Sequence, residues 1–155
     1  MAFVPENIVI VEVKTVSFSA NNPGTPFEVY SPEDVKKYTY KYGYYRAIIG
    51  EQRLVSVNLR IDVSGQLRQK KNPVKLGHIT TESTFYLKDF EEWVESGEDE
   101  TWVISDLMKS ILVGLAFSTT RGIMICQANN TLLQGVILPV VAPSNLVEIQ
   151  EESDT

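Results

Sequence analysis

The sequence predicts an α+β domain in which strands come first and helices then cover one face of an antiparallel sheet. Two periodicities carry this expectation. Val55, Val57, Leu59, Ile61 and Val63 alternate with Ser56, Asn58, Arg60 and Asp62, the two-residue period of a strand with one dry and one wet face. After Thr101 the period lengthens. Val103, Ile104, Leu107, Met108, Ile111, Leu112, Leu115 and Ala116 recur at three- and four-residue steps, which places them on one helical stripe. A chain of 155 residues suits one domain, expected over residues 1–150 with an acidic tail at 151–155, and can bury a core without staples.

Val9, Val11 and Val13 share one parity and Val16 and Phe18 the other, so the opening strand over residues 7–19 needs one extra residue near Lys14 and Thr15, a β-bulge. Residues 21–26 are rich in Asn, Pro and Gly and form a connection. Ser31-Pro32-Glu33-Asp34 begins a short helical turn with proline first. Tyr38, Tyr40, Tyr42 and Tyr44 then line one face of a second strand. Gly50-Glu51-Gln52 turns the chain into the strand already described. Ser64-Gly65 ends it, residues 68–73 form a solvated loop, and a fourth strand runs from Gly77 to about Leu87 with Ile79, Phe85 and Leu87 on one parity. The acidic connection over residues 89–100 is expected to lack fixed packing because its carboxylates repel, with Phe90 and Trp93 as its anchors. The long helix continues towards Cys126 and stops at Asn129-Asn130. Pro139 and Pro143 break the segment beyond it, and Ser144 caps a final short helix.

Composition excludes several function classes. Hydrophobic residues make up 43% and charged residues 22%, ordinary for a soluble globular protein. Fourteen basic against twenty acidic residues give a net charge of −6, which argues against nucleic acid or an anionic membrane as partner. A lone cysteine, Cys126, forms no internal disulfide, and no metal-finger spacing occurs. The first seven residues carry no basic region before an apolar core, and the apolar runs are punctuated too often to span a bilayer. The expectation is a reduced, cytoplasmic protein.

Three segments resemble the SecB-like chaperones. Val16-Ser17-Phe18-Ser19-Ala20-Asn21-Asn22-Pro23 is similar to that family's first strand, which ends in a Ser-Phe segment followed by Pro. Ser118-Thr119-Thr120-Arg121-Gly122 resembles the family's small-residue-Arg-Gly signature on the long helix. The stretch from Leu138 through Pro139 and Pro143 to Leu146 resembles the apolar-Pro segment before the family's last helix. The resemblance implies a four-stranded antiparallel sheet, a long helix and a short lid helix. It further implies a homotetramer built as a dimer of dimers, in which Leu107, Ile111, Leu115 and Arg121 lie at the oligomer interface. The implied activity is that of an ATP-independent holdase without cofactor or metal, holding unfolded polypeptides in apolar grooves. The groove residues would be Tyr38, Tyr40, Tyr42, Tyr44, Ile123, Met124, Ile137, Leu138, Val140 and Leu146. Thr15 and Ser19 stand where the export chaperone carries acidic residues that dock the translocase motor, and the family's zinc-contacting tail is absent, so docking to that motor gains little support.

Bland alternatives accompany these assignments. The tyrosine row also fits ordinary cross-strand packing, and residues 123–126 fit packed core. Cys126 reads as a buried structural thiol. His78 lies in a strand with no serine or cysteine nucleophile motif around it. Arg121 fits a structural pairing across subunits. Two other functions remain in view: an interaction module for one partner, as in toxin–antitoxin or phage systems, and a hot-dog-type thioesterase. In the latter fold the long helix comes early in the chain, whereas here it comes after the strands.

Overall fold

The computed structural model describes residues 3–24 and 28–148. Four long strands, β1 (Ile8–Ala20), β2 (Val35–Ile49), β3 (Leu54–Leu67) and β4 (Val74–Leu87), form an antiparallel sheet in the order β1-β4-β3-β2. After β4 come the one-turn helix α1 (Phe90–Trp93) and a hairpin of β5 (Val94–Ser96) and β6 (Trp102–Ile104). Helix α2 (Asp106–Gln127) then crosses one face of the sheet, and β7 (Val147–Glu148) joins the outer edge of β2 in parallel. The fold is the expected α+β arrangement of a four-stranded antiparallel sheet with one long helix. The predicted tail at 151–155 lies outside the described residues.

The alternation in β3 explains where the core forms. Val55, Val57, Leu59, Ile61 and Val63 are each at most 1% exposed, and register places Phe85, Thr81 and Ile79 of β4 beside them on the same face. Onto this face α2 lays Met108, Leu112, Val113, Ala116, Phe117, Thr120 and Met124, all buried. Ser105 caps the helix by accepting a hydrogen bond from the Met108 amide at 3.2 Å, which satisfies one of the orphan donors of the first turn. Where sheet and helix meet, the Thr81 and Thr120 hydroxyls lie 2.7 Å apart. The opposite face is the wet one, with Arg60, Asp62, Lys75 and Glu82 on it.

Strand β1 contains two register shifts, at Val11 and Val16, rather than one near Lys14 and Thr15. Ile8, Ile10, Val13, Thr15, Phe18 and Ala20 therefore share the helix side, while Val9 takes the open side opposite Tyr86. Two added residues shift the parity twice, which a single hydrophobic pattern cannot report. Val103 and Ile104 belong to β6, because strand pairing with β5 overrides their helical spacing. The acidic connection is ordered: Phe90 and Trp93 are buried, and Glu91, Glu92, Glu95, Glu98 and Asp99 all project into solvent, where water screens their repulsion. Of the final short helix, the described residues hold one 3-10 turn, Pro143–Asn145, preceded by Ala142 rather than Ser144 at the cap. Leu146, 7% exposed, anchors that turn to the core and delivers the chain to β2.

By length and composition α2 would suffice to cross a membrane, contrary to the expectation that the apolar runs are punctuated too often to span a bilayer. Its buried stripe is packed against the sheet, as in the core helix of a domain.

Candidate functional site: a groove along strand β2

Strand β2 lies at the edge of the four-stranded sheet, and its tyrosine row is a product of the two-residue period. Tyr38, Tyr40, Tyr42 and Tyr44 oppose Gly65, Val63, Ile61 and Leu59 of β3, so all four face the helix side. Tyr44 is buried and the other three are half-buried. The rings of Tyr40 and Tyr42 stack with centroids 6.2 Å apart, and Tyr42 meets Phe117 edge-on at 5.5 Å. The Tyr38 hydroxyl donates to the Leu132 carbonyl at 3.4 Å. Burial pushes the phenols of Tyr38, Tyr40 and Tyr42 above their ordinary value, with a smaller contribution from the neighbouring phenol for Tyr40 and Tyr42. The row is thus a neutral, partly wetted aromatic surface, suited to apolar side chains that also need a polar tip nearby.

The segment after α2 roofs this surface. Leu132, Leu133, Val136, Leu138 and Leu146 are buried, and Arg121 fixes the roof by donating from Nε to the Leu138 carbonyl at 2.9 Å. The arginine's identified partner is therefore within its own chain. Along the β2 edge, between the strand and the segment that leads into β7, lies an open cavity of about 520 Å³, lined by Tyr40, Lys41, Tyr42, Gly43, Arg60, Asp62, Asn145 and Glu148. Burial disfavours ionisation of Asp62, but hydrogen bonds and charge from Arg60, with Lys75 adding to them, outweigh it and hold the carboxyl below its usual range. Arg60 reaches Asp62 through two 3.1 Å contacts and Lys75 approaches at 3.5 Å.

At the far end of the cavity β7 shows what this edge accepts. Val147 and Glu148 pair with Gly43 and Tyr44 as a short parallel strand. The Glu148 carboxylate is bound by Arg46 and lies 3.9 Å from Lys109. Before that pairing begins, the outward backbone of residues 35–42 has no strand beside it among the described residues. Unpaired edge backbone is a template for another extended chain.

The other predicted site residues separate into groups. Leu138 and Leu146 belong to the roof, whereas Ile137 and Val140 are 66% and 84% exposed outside it. Met124 is core. Ile123 borders a different, shallower groove of about 620 Å³ between α2 and β1, with Val13, Thr15, Thr119, Gly122 and Cys126. Cys126 is exposed and not the buried thiol expected: it lies two residues beyond Met124, a rotation of about 200° around the helix. Leu107 and Leu115 are 54% and 37% exposed and Ile111 is half-buried, an apolar stripe turned away from the sheet. His78 is held through its two ring nitrogens by the Ser19 and Ser17 hydroxyls at 2.8 and 3.1 Å, a cross-strand contact between β4 and β1. Sequence reasoning overlooked Arg46 and Phe117, although Arg46 shares the parity of the tyrosines and was readable as part of their row.

No family model matches the chain, and no curated protein does. Among solved structures the fold is that of the SecB-like chaperones. The Mycobacterium tuberculosis SecB-like chaperone Rv1957, determined in complex with a ChAD peptide from the Rv1956 HigA1 antitoxin, matches with a TM-score of 0.52. The match covers 88% of this chain and 92% of that one at 12% identity, a likeness of architecture.

Proposed function

We propose that this protein is an ATP-independent holdase that binds unfolded polypeptides in the groove along β2. The observation that carries the reading is the pairing of a neutral tyrosine row with edge backbone over residues 35–42 that no strand among the described residues pairs with. The rings supply apolar contact area, while main-chain pairing supplies affinity independent of client sequence. The small strand β7 lends support, since this edge already receives a parallel segment of its own chain. The architectural likeness to a chaperone that binds an antitoxin peptide points the same way. Such a holdase needs no catalytic step and no cofactor.

The working form in this reading is a cytoplasmic homotetramer. The exposed stripe of Leu107, Ile111 and Leu115 and the β1 residues Ile10 and Val13, 50% and 37% exposed, are apolar surface that self-association would cover. A link to protein export is the less supported part, because Thr15 and Ser19 are not acidic. The peptide bound by the solved relative favours a second reading, a module dedicated to one partner such as an antitoxin.

Light scattering of a denatured test protein, diluted into buffer with increasing amounts of this protein and no ATP, separates the two. Suppression that saturates near one oligomer per client is the expected result. Absence of suppression together with tight capture of a single partner establishes the module instead.

A further inference from the structure

Strand β2 presents different chemistry on its two sides, and a chain added to its edge must meet both. Tyr38, Tyr40 and Tyr42 project to the helix side. Lys37 and Lys41 oppose Gln66 and Asp62 and therefore project to the open side. They lie four residues apart, about 13 Å along the strand. Both are exposed, and neither has an ion pair among the described residues. Asp62, which Lys41 opposes across the strand pair, is already occupied by Arg60 and Lys75.

The distribution of charge reinforces this asymmetry. Residues 28–41 and 60–78, which include this end of the sheet, carry eight Lys and Arg against four Asp and Glu, leaving six against sixteen for the rest of the chain. A protein of net charge −6 thus holds a locally positive surface along the free half of β2. An added strand alternates its side chains between the two faces. One set would contact the phenol rings and the other set the lysine ammonium groups.

We infer that the β2 edge selects extended peptides in which apolar and acidic residues alternate, the apolar ones lying on Tyr38, Tyr40 and Tyr42 and the carboxylates on Lys37 and Lys41. This specificity rests on the groove reading above and narrows it to a substrate class. The lysines confer the preference through exposed ion pairs, each a modest contribution that salt weakens.

The test is fluorescence anisotropy with three labelled nine-residue peptides that alternate valine with glutamate, glutamine or lysine, at low and high salt. The glutamate peptide is expected to bind about five- to tenfold tighter than the glutamine peptide at low salt, from two exposed charge contacts. The lysine peptide should bind weakest, against the attraction its charge would feel from the overall net charge. Lys37→Gln/Lys41→Gln should remove the glutamate advantage, bringing the glutamate and glutamine peptides to the same affinity, and Lys88→Gln, an exposed lysine beyond the groove, should preserve the parent's glutamate advantage. Thermal melting checks that the variants fold. Equal binding of the three peptides, or preference for lysine, overturns the charge selection and leaves the groove standing. Failure of all three to bind overturns the groove as well.

Discussion

Replacing Thr120 by valine tests how the long helix is seated on the sheet, and with it the roof of the groove. Thr120 donates to the Ala116 carbonyl at 2.8 Å, so the hydrogen in the 2.7 Å contact between hydroxyls must come from Thr81. Both side chains are fully buried. In Thr120→Val the Thr81 hydroxyl keeps its burial and loses its acceptor, at a cost of about 1–3 kcal/mol. Taking about 2 kcal/mol and the entropy of unfolding of a chain this size, Tm should fall by about 4–8 °C. In Thr81→Val/Thr120→Val neither orphan remains, and stability should return to within about 0.5 kcal/mol of the parent. The assay is urea unfolding, monitored by circular dichroism, with the four proteins treated as a double-mutant cycle. Thr120→Val as stable as the parent, or a double variant no better than Thr120→Val, would refute the assignment of donor and acceptor.

The site yields further expected outcomes. Tyr42→Ser removes the stack on Tyr40 and the edge contact with Phe117, so it should cost about 0.5–1.5 kcal/mol of stability beyond lost area and weaken suppression of client aggregation; unchanged suppression in light scattering would remove Tyr42 from the groove. Glu148→Gln should loosen β7 from Arg46 and Lys109, making the amides there exchange hydrogen faster while global stability changes by less than about 1 kcal/mol; unaltered exchange would contradict the role of Glu148 in holding β7. The depressed Asp62 carboxyl contributes stability above its unfolded value, near pH 4, and loses it as pH falls through the lower folded value. Asp62→Asn should therefore be less stable than the parent at neutral pH, with the difference vanishing in acid; a constant difference in pH-dependent unfolding would refute the pairing. Leu107→Glu/Leu115→Glu should lower the oligomeric state in analytical ultracentrifugation without unfolding the protomer, both sites being exposed; an unchanged sedimentation profile would take the stripe out of the interface.

The order of elements and the face of each central strand were legible in the chain alone. In β3 the alternation of Val55, Val57, Leu59, Ile61 and Val63 with polar residues leaves one solution, because a slip by one residue would bury Arg60 and Asp62. The tyrosine row and the long helix were legible for the same reason: period 2 and period 3.6 are local properties of the chain. Tertiary structure settled the features that are not local. The two bulges of β1 depend on the partner strand β4, the pairing of Val103 and Ile104 depends on β5, and the order within residues 89–100 depends on burying Phe90 and Trp93. Which edge stays open, and that Lys37 and Lys41 back the tyrosines there, emerges only once β2 is placed outermost, because an unpaired backbone group is defined by the neighbour it lacks.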